Sequence, residues 1–194
     1  MYEGTPPWEI GRPQPFVEAL QAKGEIVGDV LDIGCGTGEN ALFLTGMNHA
    51  VLGVDFAAGA IAAARGKART RGIEARFEVA DALDLGGLGR AFDTLLDSGV
   101  FHVFSDDDRR RYTRSLASVS RPGTRLFLVC FSEREPDWGG PRRVTRDEIR
   151  ATFGRPWAVE RIEATRYATL LSDGGAQAWL ASIIYVGRPV SQGN

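Results

Sequence analysis

An α/β fold, with a mostly parallel sheet and helices on both of its faces, is predicted by two patterns in the sequence. Short runs rich in β-branched residues alternate with segments of helical spacing through residue 131. Such alternation is typical of parallel strands joined by helical crossovers. Two long runs then follow one another near the C-terminus, and they predict an antiparallel hairpin at one edge of the sheet.

The length and composition predict one globular domain. The chain has 194 residues, of which 43% are hydrophobic and 25% charged. The formal net charge of −2 gives no indication of nucleic-acid binding. The apolar runs are shorter than the ~18 residues that a membrane span needs. We therefore expect neither a nucleic-acid nor a membrane partner, and either a monomer or a homodimer.

The cysteine and histidine content argues against disulfides and metals. Cys35 and Cys130 are the two cysteines, which fits a reducing, cytoplasmic compartment. The N-terminal stretch "MYEGTPPWEIGRPQP" is acidic and proline-rich, unlike a signal or transit peptide. The two histidines, His49 and His102, have no metal-ligand spacing around them, so no metal site is predicted.

The predicted elements follow in order. The expected parallel strands are 29–33, 50–55, 75–79, 92–96 and 125–131. An alanine-rich helix follows the second strand and ends at Gly72, which suits a helix C-terminus. Ser105 with Asp108, and Thr145 with Glu148, have the spacing of capping boxes at two further helix starts. In the terminal hairpin, "SDGGA" is the predicted turn between "WAVERIEATRYATLL" and "AWLASIIYVGRP".

The stretch "VLDIGCGTGEN" predicts a ligand-binding loop. Gly34, Gly36 and Gly38 follow the first strand at every second position. Glycine permits positive φ and lets a ligand approach the backbone closely. In open parallel sheets, ligands bind beyond the carboxyl ends of the strands. We interpret Cys35 as a small residue within this loop and not as a nucleophile.

A carboxylate marks the end of each of the first four predicted strands. The four residues are Asp32, Asp55, Asp81 and Asp97. Asp55 lies where a carboxylate can accept hydrogen bonds from ribose hydroxyls. The neighbouring ring of Phe56 can cover an adenine face, and Asp81 can accept hydrogen bonds from the adenine amino group. A purely structural turn after the first strand would leave this set of carboxylates unexplained.

The glycine spacing separates two nucleotide-type ligands. A dinucleotide fingerprint, G-x-G-x-x-G, would require glycine at position 39, where the chain has Glu39. An acidic loop that carries Asp32 and Glu39 would also suit a pyrophosphate poorly. A ligand with an ammonium and a sulfonium group suits it better. The loop therefore favours S-adenosylmethionine over a nicotinamide dinucleotide, and with it disfavours a dehydrogenase.

The motifs "VLDIGCGTG", "GVD", "VAD" and "FDTLLDSG" together resemble the class I S-adenosylmethionine-dependent methyltransferases. This resemblance implies a Rossmann-like seven-stranded sheet with a reversed terminal strand. It also implies that Gly34, Gly36 and Gly38 lie beside the methionine part of the donor, and that Asp55, Phe56 and Asp81 bind its ribose and adenine. The full set of donor-binding residues that we expect is Trp8, Asp32, Gly34, Cys35, Gly36, Gly38, Asp55, Phe56, Asp81, Ala82, Asp97 and Ser98.

Two further stretches, "GTPPWEIGRPQP" and "WGGPRRVTRDEI", look like the thiol, halide and thiopurine methyltransferase group. In that group a tryptophan-containing N-terminal segment folds over the donor. "SGVFHVFSDDDRRRY" and "VCFSEREP" resemble enzymes that methylate quinolone-type or phenolic toxins. The implied organisation within the single domain is a lid and first helix in 1–24, a donor-binding core in 25–131, and an acceptor side with the hairpin in 132–194.

The expected acceptor site contains Tyr2, Trp8, His102, Phe131 and Trp138. His102 follows the fourth strand, where a neutral imidazole could act as a general base; alternatively, it bonds only to the backbone. The predicted activity is methyl transfer to S, O or N of a small aromatic or heterocyclic acceptor. Methylation of a thiol or halide ion, and a non-catalytic S-adenosylmethionine-binding module, remain as alternatives.

Overall fold

The computed structural model describes residues 6–187 and contains one seven-stranded sheet. The strands are β1 (Asp29–Ile33), β2 (Ala50–Asp55), β3 (Arg76–Val79), β4 (Phe92–Ser98), β5 (Ser120–Phe131), β6 (Trp157–Thr169) and β7 (Ser172–Tyr185). Their order across the sheet is β3-β2-β1-β4-β5-β7-β6. Strands β1 to β5 pair in parallel, and β7 runs antiparallel to both β5 and β6. The fold predicted from the sequence is confirmed.

Within the described residues, five α-helices cover the two faces of the sheet. They are α1 (Pro15–Ala22), α2 (Glu39–Gly46), α3 (Ala58–Arg71), α4 (Asp106–Ser118) and α5 (Arg146–Thr152). Because successive strand side chains point to opposite faces, the core divides into two clusters. Val30 belongs to a cluster with side chains from α1, α2 and α3, whereas Leu31 and Ile33 belong to a cluster with side chains from α4 and α5.

The predicted helix ends are confirmed. Ser105 accepts a hydrogen bond from the Asp108 amide at the start of α4. Thr145 and Glu148 form a reciprocal capping box at the start of α5. Gly72, with a φ of 65°, ends α3. Within residues 6–187, no helix combines the length and the apolar character that crossing a membrane requires.

The predicted position of the hairpin turn is wrong. Leu170 and Leu171 form the turn, and "SDGGA" lies within β7. The glycines there accommodate a register shift that places extra residues of β7 opposite the end of β6. Gly175 has a φ of +64°, and a Cβ at this position would lie 2.6 Å from the Tyr167 carbonyl oxygen. The glycines thus permit a bulge beside the turn, which periodicity does not distinguish from the turn itself.

Candidate active site

A cavity of about 660 Å³ lies at the carboxyl ends of the parallel strands. Its walls combine the glycine loop, the segments that follow β2, β3 and β4, the end of β6, and an N-terminal strap. The strap is defined as residues 6–14. The sequence-predicted residues that line the cavity are Trp8, Gly34, Cys35, Gly36, Gly38, Asp55, Phe56, Asp81, Ala82, Ser98, His102, Phe131 and Trp138. Tyr2 lies outside the described residues.

The three loop glycines meet different surroundings. All three have positive φ, between 54° and 88°. A Cβ at Gly34 would lie 2.2 Å from the Val100 side chain, and one at Gly38 would lie 2.8 Å from the Phe77 ring. A Cβ at Gly36 would meet no atom within 4 Å. Gly34 and Gly38 are therefore required by packing as well as by backbone conformation, whereas Gly36 leaves open space at the cavity wall.

Asp55 fixes the glycine loop against the end of β2. One carboxylate oxygen accepts a hydrogen bond from the Gly36 amide at 2.9 Å, and the other accepts one from the Ala57 amide at 2.8 Å. The adjacent Phe56 ring is 72% exposed although it lines the cavity. An apolar ring left open beside a carboxylate can stack on a planar group such as adenine.

Asp32 is fully buried at the end of β1, and neither of its carboxylate oxygens has a hydrogen-bond partner within the described part of the chain. Burial raises its pKa to about 7, and the nearby charges of Asp55 and Asp97 act in the same direction. The nearby Ala41 amide acts to lower the pKa, although its position does not meet the geometry of a hydrogen bond. A buried carboxylate without a partner is costly, and a cationic ligand would compensate it. Asp32 does not line the cavity, so this carboxylate would act on the ammonium-bearing end of S-adenosylmethionine from behind the cavity wall.

Asp97 lies behind the cavity wall and does not line the cavity. Its carboxylate accepts hydrogen bonds from the Val100 amide at 2.7 Å, the Phe101 amide at 3.1 Å and the Tyr112 hydroxyl at 2.8 Å. These bonds hold the turn that follows β4. Asp97 thus supports the wall, of which the neighbouring Ser98 is part.

The Cys35 thiol lines the cavity, but burial raises its pKa well above the ordinary range. A thiol that stays protonated at neutral pH is a weak nucleophile. This agrees with the interpretation of Cys35 as a small residue within the loop.

His102 is buried, and its Nδ1 accepts a hydrogen bond from the Phe131 amide at 3.0 Å. Burial lowers its pKa to about 3, helped by the positive charges of Arg143 and Arg109. The ring is therefore neutral, with its proton on Nε2, because Nδ1 is occupied as an acceptor. This geometry does not favour the base role suggested by the sequence; it matches the alternative in which His102 bonds to the backbone.

Aromatic side chains surround Phe131 on the side of the cavity where the sequence predicts the acceptor. The centroid of the Phe131 ring lies 5.8 Å from that of Trp138, 5.7 Å from that of Tyr167 and 4.6 Å from that of His102. Sequence reasoning missed Tyr167, whose hydroxyl donates to the Ser98 carbonyl at 3.2 Å. Burial raises the Tyr167 pKa to about 12, so its hydroxyl stays neutral. These rings form an apolar wall suited to a planar acceptor.

The strap contributes Trp8 to the cavity, as the resemblance implied. Gln14, at its end, was missed because nothing local marks it. Its amide N–H donates to the Asn40 side chain at 2.9 Å, and its side chain exchanges two hydrogen bonds with the Ala168 backbone, at 3.0 and 2.9 Å. The strap is thereby attached both to α2 and to the end of β6.

Comparison with known proteins supports the family that the sequence motifs resemble. A family model described as "Methyltransferase domain" matches residues 30–123. A 2-heptyl-1-hydroxyquinolin-4(1H)-one methyltransferase of Mycobacteroides abscessus is 38% identical over 178 residues, which are 89% of this chain and 78% of that protein. The chain belongs to the S-adenosylmethionine-dependent methyltransferases.

Two solved structures are also similar. One, described as "Conversion of a Disulfide Bond into a Thioacetal Group during Echinomycin Biosynthesis", has a TM-score of 0.85 and 38% identity, over 93% of this chain and 85% of that chain. The other is magnesium protoporphyrin IX methyltransferase from Synechocystis with bound SAH (S-adenosylhomocysteine). It has a TM-score of 0.69 and 20% identity, over 87% of this chain and 80% of that chain, and it supports the fold alone.

Proposed function

We propose that this methyltransferase acts on O, S or N of a small aromatic or heterocyclic molecule that is already ionised when it binds. The observation that carries the proposal is the proposed acceptor side of the cavity, where aromatic rings surround Phe131. Among the described residues that line the cavity, His102 is the one imidazole, and its acceptor nitrogen is occupied by the Phe131 amide.

On this proposal the donor lies along the carboxyl ends of β1 to β3. Gly36 borders its methionine part, Asp55 accepts hydrogen bonds from the ribose, and Phe56 stacks on the adenine. Asp81 accepts hydrogen bonds from the adenine amino group, and Asp32 compensates the ammonium. S-adenosylmethionine supplies a methyl group, whose bond to sulfur breaks, with the electron pair going to sulfur, as the acceptor's lone pair bonds to carbon.

The protein contributes alignment and exclusion of water. Because the displacement is in line, a planar acceptor held against the Phe131 and Trp138 rings has its reacting atom fixed relative to the donor. Well-oriented reactants can gain up to ~7–11 kcal/mol in this way. The strap excludes water from the nucleophile. We propose the division of labour expected from the sequence: lid and first helix in 1–24, donor core in 25–131, acceptor side and hairpin in 132–194.

The charge states of the acceptor wall favour an acidic acceptor. His102, with a pKa of about 3, and Tyr167, with a pKa of about 12, would both be poor proton acceptors at neutral pH. N-hydroxy heterocycles, acidic phenols and thiols ionise without help from a base. The relative from Mycobacteroides abscessus, named for a 1-hydroxyquinolin-4-one, supports an N-hydroxy heterocycle as the first choice. The echinomycin structure, described by a disulfide-to-thioacetal conversion, keeps sulfur acceptors in consideration.

An acceptor panel tests this function. Hydroxyquinolones, phenols of graded pKa, thiols, thiopurines and halides would be incubated with S-adenosylmethionine, and SAH release would be measured. We expect turnover of aromatic acceptors that are ionised at the assay pH, with weakly acidic phenols reacting only as the pH approaches their own pKa. Turnover of halide or small thiol ions alone would favour the ion-methylating alternative. Donor binding without any turnover would favour the non-catalytic module.

A further inference from the structure

The strap is held at both ends by hydrogen bonds and between them by one acidic side chain. Near its start, the Pro7 carbonyl accepts a hydrogen bond from the Leu170 amide at 2.7 Å. At its end, Gln14 is bonded to Asn40 and Ala168. Between these points the Glu9 side chain reaches across to the wall of the donor site.

Glu9 connects the strap to the glycine loop and to α3. One carboxylate oxygen lies 2.8 Å from the Lys67 ammonium, and the other accepts a hydrogen bond from the Thr37 hydroxyl. Thr37 stands between Gly36 and Gly38. The strap is therefore tied to the segment that would contact the donor.

Lys67 is the centre of this connection. Its ammonium donates to Glu9 at 2.8 Å, to Thr37 at 2.6 Å and to Glu39 at 2.7 Å, so that all three of its N–H donors have an acceptor. The side chains of Glu9 and Glu39 are 18% and 10% exposed, which limits screening by solvent and salt.

The same ammonium separates two like charges. Burial alone would raise the pKa of Glu39, but hydrogen bonds and charges from Arg71 and Lys67 outweigh it and hold that pKa below its ordinary value. Glu39 is therefore ionised at neutral pH. Without Lys67, the Glu9 and Glu39 carboxylates would repel one another across Thr37, and the middle of the strap would be pushed away from the loop.

We propose that Lys67 is a positioning residue that latches the strap onto the glycine loop through Glu9. The latch rests on the donor site proposed above. It touches no reacting atom; it holds the strap over the donor and therefore sets how quickly the donor or its product leaves the cavity.

The rate of SAH dissociation tests the latch, measured by surface plasmon resonance on the full chain. We expect Lys67→Met and Glu9→Gln each to raise the rate about tenfold, in the range of hydrogen bonds to charged groups. The KM for the donor should rise with it, whereas kcat at saturating donor should not fall. Lys67→Arg should restore the rate to within about twofold, because a guanidinium can also bridge the two carboxylates.

Arg71→Met is the matched control. Arg71 lies one turn further along α3 and pairs with the same Glu39, at 2.8 Å. Within residues 6–187 it forms no hydrogen bond or ion pair with the strap, and it acts on the Glu9 charge only at longer range. The control should leave the SAH dissociation rate unchanged. The double variant Glu9→Gln/Lys67→Met should dissociate no faster than either single variant, because both remove the same connection.

Three results would overturn the proposal. Lys67→Met could release SAH at the wild-type rate, or Arg71→Met could release it as fast as Lys67→Met does. In the third, the double variant would show the product of the two single effects. If Lys67→Met fails to fold, Glu9→Gln decides the matter, because its substitution lies in the strap outside the core. A wild-type chain that binds no SAH would overturn the donor site and the latch together. Normal SAH binding with unchanged variant rates would overturn the latch alone.

Discussion

At the scale of single residues, burial sets the charge states that decide the chemistry. Asp32 and His102 have ordinary pKa values of 3.8 and 6.5, but burial raises the first to about 7 and lowers the second to about 3. Both shifts favour the neutral form, as expected when a charge is removed from water. A ligand that brings a positive charge would reverse the shift at Asp32, whereas His102 is kept neutral by its own surroundings.

We predict that SAH affinity depends on pH through Asp32. Binding of an ammonium favours the ionised carboxylate, so affinity should fall as pH decreases through about 7, by up to about tenfold per pH unit. Isothermal titration calorimetry at pH 6, 7 and 8 measures this. Asp32→Asn should bind more weakly and lose this dependence, whereas the exposed control Asp84→Asn should behave as the wild type. A wild-type affinity independent of pH would contradict the assignment.

The same carboxyl affects stability in the absence of a donor. The folded chain keeps the Asp32 proton up to about pH 7, whereas an unfolded aspartate releases it near 3.8. The folded state then binds more protons in this interval, so the contribution of Asp32 to the free energy of unfolding decreases as pH rises through it. In urea titrations over this pH interval, the free energy of unfolding of Asp32→Asn should therefore decrease less with rising pH than that of the wild type.

We predict that His102 acts through the Phe131 amide and not as a base. His102→Ala would leave a buried N–H without its acceptor, at a cost of about 1–3 kcal/mol. It should therefore lower the melting temperature and slow strongly and weakly acidic acceptors by similar factors. His102→Asn, which can offer an oxygen to the same N–H, should recover most of both. A loss confined to weakly acidic acceptors in both variants would restore the base assignment.

At the scale of elements, the turn from β1 to α2 needs glycine for two reasons, close packing and open space beside the cavity. The glycine spacing alone does not show which reason applies at which position. Gly38 is needed for packing, since a Cβ there would press on Phe77 of β3 and on Ala64 of α3. Gly36 faces open space beside the cavity. The spacing alone indicates a ligand loop, and the neighbours of each glycine show which of them a side chain would affect first.

We predict different outcomes for alanine at these two glycines. Both positions have positive φ, which costs an alanine about 1 kcal/mol or more. Gly36→Ala should fold and bind SAH much more weakly, because its methyl group would occupy space proposed for the donor. Gly38→Ala should mainly lower stability, because it also clashes with the Phe77 ring. Melting curves and calorimetry on both variants measure this. Equal losses of SAH affinity at equal stability would contradict the distinction.

At the scale of the whole molecule, one sheet joins segments that are far apart in sequence around a single cavity. A ligand bound there should stabilise the entire chain. At SAH concentrations of 100 times Kd, we predict a gain of about 2.7 kcal/mol in the free energy of unfolding. For a domain of this size that corresponds to about 5–11 °C in Tm.

Differential scanning fluorimetry measures this rise in Tm. Asp55→Asn should abolish most of the rise, because its carboxylate is proposed to bind the ribose. NAD⁺ should produce no rise, since Glu39 stands where a dinucleotide loop needs glycine. Stabilisation by NAD⁺ equal to that by SAH would contradict the choice of donor.

Local patterns in the chain were enough to predict the fold and the class of donor. Strands β1 and β2 have the predicted bounds, and the caps at Ser105 and Thr145 form as expected. These features depend on neighbouring residues, and propensity, periodicity and turn chemistry act over that range. The glycine loop and Asp55 could be identified because their spacing is fixed by the strand-turn-helix unit that contains them.

How the cavity is closed and which groups carry charge depend on contacts between segments that are distant in sequence. Gln14 meets Ala168 across 154 positions of sequence, and Glu9 meets Lys67 across 58. Tyr167, at the end of β6, packs edge-on against Phe131 and bonds to Ser98 across 69 positions of sequence. No local pattern encodes such contacts. The pKa values of Asp32 and His102 likewise depend on the whole surrounding chain, because desolvation is the sum of everything packed around a group.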